Sequence, residues 1–253
     1  MPFTFSHPAI VLPLIKVNPN YLSATAVIFG SMAPDFEYFL RMELYQEHGH
    51  TFWGMFYFNL PLVILLTTIY HLWVRETFIE HLPISLKRRF LPFAQIDWIN
   101  WVKKRWWVLI YSSLMGIMAH LFWDAFTHQS GIFVQHLTIL QGKINVLGVT
   151  FFKTEILQLL STLIGGAIIL LYLLIQPGQI RSWLKTQVLK YWTGVAIVTF
   201  LVLLLRFPSS LSQFIATSIA GFLAGIILIS ILTKKYAHFL DLKTYKNRND
   251  TGD

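Results

Sequence analysis

The chain contains no cysteine. Disulfides and thiolate metal sites are therefore excluded, and any metal must be held by imidazole and carboxylate. Charge is also scarce: 13% of the 253 residues are charged and 55% are hydrophobic. That balance excludes an ordinary soluble domain and fits a polytopic membrane protein. Acidic residues are the rarer sign, 12 against 20 Lys and Arg, leaving a net charge of +8. In a chain this apolar the basic excess marks cytoplasmic loops and anionic lipid, and no nucleic-acid partner is read from it. The opening residues lack the basic stretch of a secretory leader, and Pro2, Pro8 and Pro13 interrupt any apolar core for one.

Aromatic residues and long apolar runs are abundant. There are 9 Trp, 10 Tyr and 21 Phe, with many Trp at the ends of apolar runs, where amphipathic rings prefer the headgroup layer. A bilayer-crossing helix needs roughly 20 mostly apolar residues. Five segments qualify, near 54–74, 106–123, 155–175, 192–206 and 211–232. The stretch 8–34 is apolar but broken by Pro13, Asn18, Pro19 and Asn20. It is read as one or two short helices packed on the bundle rather than a sixth span, with a re-entrant hairpin left open. The expected fold is an all-α transmembrane bundle. Residues 1–150 would form a metal-site region with two spans; 151–253 would add three spans and a basic tail.

Lysine and arginine divide unevenly between the two sides. The first connection holds Arg75, Lys87, Arg88, Arg89, Lys103, Lys104 and Arg105; the third holds Arg181, Lys185 and Lys190; the tail holds Lys234, Lys235, Lys243, Lys246 and Arg248. The other side has Lys16, Arg41, Lys143, Lys153 and Arg206. Fifteen against five places the N-terminus outside and the C-terminus in the cytoplasm.

The unusual polar residues gather on the outer side. His120-Leu-Phe-Trp-Asp124-Ala-Phe-Thr-His128 closes the second span, its polar members four residues apart. On a helix they share one face, about 6 Å apart per step, as in other i, i+4 metal motifs. A lone histidine at a membrane edge more often bonds a carbonyl. Three ionisable groups on one face of an otherwise uncharged span point to function. The segment before the first span supplies His7, Asp35 and His50. Charge bias and ligand placement thus agree on one outward-facing cluster of His7, Asp35, His50, His120, Asp124 and His128. Several histidines and aspartates without cysteine suit a divalent metal, zinc first and iron second. Glu37 is open to three readings: a ligand, a partner orienting a histidine, or a solvated helix residue. It is also the candidate carboxylate base.

Other polar residues rate lower. His71, His81, His136 and His238 are read as interfacial or satisfied locally, His48 as a loop residue competing with His50, and Glu155 as a weak candidate at the start of the third span. Gly165-Gly166 and the GxxxG pair Gly221 and Gly225 are helix-packing faces.

MPFTFSHP, GSMAPDFEYF, the GHT before a span and AHLFWDAFTH followed by Gly131 resemble the blocks of a bacterial membrane family of unknown function, over roughly the first 150 residues. The wider pattern is similar to inner-membrane proteins classed as metal-dependent hydrolases and, more distantly, to zinc-dependent phospholipases C. The resemblance implies a helical metal site of His7, Asp35, His50, His120 and Asp124, with His128 added, in the bacterial inner membrane. The chain departs from that pattern at Glu37, where the hydrolase-like group writes a second Asp, and at Glu47-His48-Gly49, where it often writes Arg-Gly.

The expected function is metal-dependent hydrolysis of a phosphoester, lipid-linked, at the outer membrane face. Two other classes compete: a metal or proton transporter, and a non-catalytic scaffold clamped by the same cluster. The third to fifth spans carry almost nothing ionisable, which argues against a transport path.

Overall fold

The computed structural model describes residues 3–90, 96–177 and 188–250, with side chains through residue 235. Arg181 and Lys185, and the side chains of His238, Lys243, Lys246 and Arg248, lie outside the described residues.

Among the described residues, five helices are long and apolar enough to cross a membrane: Met55–Glu80, Trp98–His136, Lys153–Ile175, Val188–Arg206 and Leu211–Lys235. They are called the first to fifth spans below. The first contains two wide π-helical turns, Met55–Asn59 and Tyr70–Val74. The second is helical over Trp98–Thr127, with Arg105 leaving helical geometry at φ −138° and ψ 33°. It then breaks and resumes as Ile132–His136.

Contacts divide the chain into two compact units. One comprises Met1–Tyr38, Tyr45–Thr67 and Ile99–Gln176; the other comprises Phe39–Leu44, Thr68–Trp98 and Pro177–Asp253. In the second unit, Val74, Tyr191, Val195 and Ile226 form the core. His71 stacks on Trp98 at 4.1 Å, and His81 gives its Nδ1 proton to Thr77 O at 2.7 Å.

The first unit carries the predicted site. Its N-terminal part is a series of short turns: Thr4–Ser6, Pro8–Val11, Leu12–Leu14, Ala24–Gly30 and Ala33–Asp35. Prolines explain the brevity, since Pro8, Pro13 and Pro34 each sit at the first or second position of a short helix and cannot continue a preceding one. Ser23 caps Ala24–Gly30 by accepting from Ala26 N at 3.4 Å. These turns pack on the second and third spans. Val11, Leu22 and Val27 close over Tyr111 and Ala119. Phe3 N donates to Thr162 Oγ1 at 2.9 Å, and a Cβ built on Gly165 would lie 2.8 Å from Ser6 O.

The sequence reading missed one element. Lys143–Val146 pairs antiparallel with Val149–Phe152, Val146 opposite Val149. Leu147 and Gly148 form the turn, both at positive φ (51° and 84°), as a two-residue hairpin requires. Every residue of both strands is exposed, so no apolar–polar alternation advertises the strands.

Candidate metal centre

Five of the six predicted ligands come from four places in the chain, and the turns above bring them together. His7 opens the helix Pro8–Val11, Asp35 ends the turn Ala33–Asp35, and His50 lies in the loop before the first span. His120 and Asp124 project from the second span one turn apart. His7, Asp35 and His120 are each 1% exposed or less, and Asp124 is 5% exposed.

Asp35, His50, His120 and Asp124 each offer one ligand atom, and the four atoms lie within 4.8 Å of one another. His50 Nε2 stands 2.9 Å from Asp124 Oδ2 and 3.7 Å from Asp35 Oδ1. His120 Nε2 stands 3.2 Å from Asp124 Oδ2 and 3.6 Å from Asp35 Oδ1, and the two Nε2 atoms are 3.3 Å apart. A tetrahedral ion with bonds of about 2.0–2.1 Å requires ligand–ligand edges of roughly 3.3 Å. The observed spacings straddle that value. This buried cluster of two histidines and two aspartates can coordinate a divalent metal.

The surroundings prepare these atoms as ligands. His120 Nδ1 is 2.8 Å from Ser31 O. A carbonyl only accepts, so Nδ1 carries the proton and Nε2 turns its lone pair to the cluster. Thr4 Oγ1 donates to Asp35 Oδ2 at 2.8 Å, which leaves Oδ1 inward and without a hydrogen-bond partner. A buried carboxylate oxygen in that condition is costly, and a cation relieves the cost.

His7 and His128 lie on the other side of the Asp124 carboxylate. Its Oδ1 is 3.2 Å from His7 Nε2 and 3.5 Å from His128 Nδ1. His7 Nδ1 faces Thr4 O at 3.3 Å, and its ring stacks on His120 at 3.9 Å. His7 lies outside the five spans. Burial opposes its charge, yet the bond to Asp124 and the charges of Asp124 and Asp35 outweigh burial, so its pKa is raised above the ordinary imidazole value. His128 Nε2 is buried without a hydrogen-bond partner. Neither histidine belongs to the four-atom group; both adjoin it through Asp124.

Glu37 is 2% exposed, and its carboxylate is engaged by backbone amides. Oε1 accepts from Glu47 N at 3.0 Å; Oε2 accepts from His48 N and Gly49 N, both at 2.9 Å. Three amides of the loop that delivers His50 converge on this side chain. Asn59, in the first wide turn of the first span, donates to Gly49 O at 2.7 Å. A Cβ on Gly49 would lie 2.1 Å from Pro34 O, so only glycine lets the loop close against the turn bearing Asp35.

The remaining candidates stay apart. His48 bonds Tyr57 Oη through Nδ1 at 2.9 Å, and its side chain is 38% exposed. Glu155 caps the third span by accepting from Phe152 N at 2.8 Å. His136 faces Ile132 O on its own exposed helix. Sequence reasoning missed Thr4, Ser31, Gly49 and Asn59. Thr4, three residues before His7, had a local signal. Ser31 contributes only its carbonyl, which any residue type would supply.

No curated protein and no solved structure matches this chain. Of the expected resemblances, the one to a family of unknown function is supported: residues 1–231 match the model of the domain of unknown function DUF4184. That match takes in every residue of the cluster, the first four spans whole and the fifth as far as Ile231, and the chain belongs to the DUF4184 family.

Proposed function

We propose that the protein is a membrane-bound, zinc-dependent hydrolase of a lipid-linked phosphoester, working at the outer face of the membrane. One observation carries the reading: four clustered acceptors within 4.8 Å of one another, three of them buried and one an unsatisfied carboxylate oxygen. The donor set, imidazole and carboxylate without thiolate, suits zinc and also iron. Asp35, His50, His120 and Asp124 hold the ion. An ion bound there acidifies water near neutral pH and polarises a phosphoryl oxygen. Glu37 is a positioning residue that acts through the His50 loop. His7 and His128 flank Asp124 Oδ1, on the side where a substrate phosphate would meet imidazole donors.

The lipid-linked substrate is supported by the surroundings. A cleft of about 390 Å³ opens beside the cluster, lined by Ile10, Phe122, Trp123, Phe126, Leu157 and Ser161 among others. Trp123 lines the cleft, and its ring lies 6.5 Å from that of His7. An apolar cleft on membrane-spanning helices suits an acyl chain.

Two measurements test the proposal on detergent-purified protein: elemental analysis and hydrolysis of a phospholipid panel. About one zinc or iron per chain and release of a phosphorylated headgroup or diacylglycerol are expected. Stoichiometric metal without hydrolysis, but with metal flux in liposomes, would replace the hydrolase by a transporter. Absence of metal would leave the scaffold reading.

A further inference from the structure

The N-terminal turns follow the second span over a long distance and in register. Asp35 meets His120 and Asp124. Ser31 O meets His120 Nδ1. Gly30 and Gly116 are in backbone contact: a Cβ on Gly30 would lie 2.5 Å from Ser113 O, and one on Gly116 would lie 2.3 Å from Val27 O. Ser23 N donates to Ser112 Oγ at 3.0 Å. The twelve steps from Ser23 to Asp35 therefore run beside the twelve from Ser112 to Asp124. Along a helix that is about 18 Å.

This length is measured along the apolar part of the span, 106–123, where the bilayer must lie. The hydrocarbon core is roughly 30 Å thick. With Asp124 at one edge of it, Ser23 is beyond the mid-plane, and the turn 16–21 immediately precedes it in the chain. That turn reads Lys16-Val17-Asn18-Pro19-Asn20-Tyr21, and all six residues are exposed. A lysine and two asparagines bared to hydrocarbon would be expensive. They are instead the residues expected at an interface, where a lysine snorkels and a tyrosine anchors. The second span marks that interface with Lys103, Lys104 and Arg105, followed by the exposed Trp106 and Trp107. The turn also closes on itself: Tyr21 N and Leu22 N donate to Asn18 O at 2.8 and 3.1 Å, and Val17 N donates to Leu14 O at 3.1 Å. Irregular backbone at membrane depth survives only when packed on protein; residues 23–35 pack on the second span, and the exposed turn is placed at the interface.

We propose that residues 8–34 form a re-entrant hairpin. It enters the bilayer from the side of the metal centre, carries the turn 16–21 to the anionic headgroups of the opposite leaflet, and returns to deliver Asp35. This inference is independent of the chemistry at the cluster. It moves Lys16 to the basic side of the charge count, where sixteen lysines and arginines then stand against four.

The absence of native cysteine makes the test direct. Single-cysteine variants Asn18→Cys and Asn20→Cys are compared in sealed membranes with Leu147→Cys, on the metal-centre side, and Lys104→Cys, on the other. The probe is a membrane-impermeant maleimide. The two hairpin variants are expected to label from the same side as Lys104→Cys and to be protected on the side that labels Leu147→Cys. Labelling together with Leu147→Cys would overturn the proposal. So would protection from both sides with labelling only in detergent, which would leave the turn inside hydrocarbon. All four positions are exposed, so the variants are expected to fold; a monodisperse elution profile checks each one.

Discussion

The carbonyl of Ser31 receives the Nδ1 proton of His120 at 2.8 Å, and that bond determines which nitrogen of His120 faces Asp124. Ser31 caps the end of a short helix, and His120 lies in the last apolar turn of the second span, 89 residues later. The contact joins the N-terminal turns to the cluster. If Ser31 sat one turn lower, His120 would lose its tautomer and Asp35 would miss the site.

The four-atom cluster makes metal content the first measurable quantity. Asp124→Asn keeps shape and removes the charge shared by four histidines. It is expected to lower metal occupancy to below about a tenth of wild type, as is His120→Ala; plasma mass spectrometry of purified protein reads both. Unchanged occupancy in either would remove the cluster from consideration.

Thr4 touches no metal yet aims Asp35. Thr4→Val deletes the bond to Oδ2 at nearly constant volume, and Thr4→Ser keeps it. Loss of such a supporting contact costs about 10–100-fold in metal affinity. Competition with a chelator should show that drop for valine and near wild-type affinity for serine.

Glu37→Gln separates positioning from catalysis. Glutamine cannot accept from three amides as a carboxylate does, and hydrogen bonds to a charged group are worth about 1.5–3 kcal/mol. A loss of about 1–3 kcal/mol of stability is expected, together with weaker metal retention. A general base would instead lose turnover while stability and metal content stayed at wild-type values, so thermal unfolding and metal analysis decide between the roles.

Gly49→Ala should be more damaging than its size implies. The new methyl group would meet the Pro34 carbonyl at 2.1 Å, and that oxygen belongs to the backbone of the turn carrying Asp35. Relief requires moving either His50 or Asp35 away from the other. Overpacking of this kind costs about 1–3 kcal/mol, and metal occupancy should fall with it.

Chelation should lower the thermal midpoint of the wild-type protein and leave that of Asp124→Asn unchanged. A ligand that binds only the native state stabilises it by about 2.7 kcal/mol at a hundredfold excess over Kd. Equal response of both proteins to chelator would mean the stabilising ion sits elsewhere.

The sequence alone determined the class of the protein and half of its site. Apolar runs of bilayer length identify five spans whatever surrounds them, because a span is a local property of composition. His120 and Asp124 declare themselves in the same way, because four-residue spacing on a helix sets a shared face before any packing occurs. Glu37 shows where that kind of reading stops. Its position two residues after Asp35 resembles a ligand's, but its carboxylate belongs to the amides of residues 47–49, ten residues on. The exposed hairpin Lys143–Phe152 escaped notice because neither face is buried and no period is imposed on it. Only the tertiary structure decided that His50 reaches Asp124, that Thr4 aims Asp35, and that a proline-broken segment runs some 18 Å along the second span. These depend on a backbone fit of Gly30 against Gly116 and of Gly49 against Pro34. Such close approaches leave no periodic trace in the sequence, since they are made by the absence of side chains.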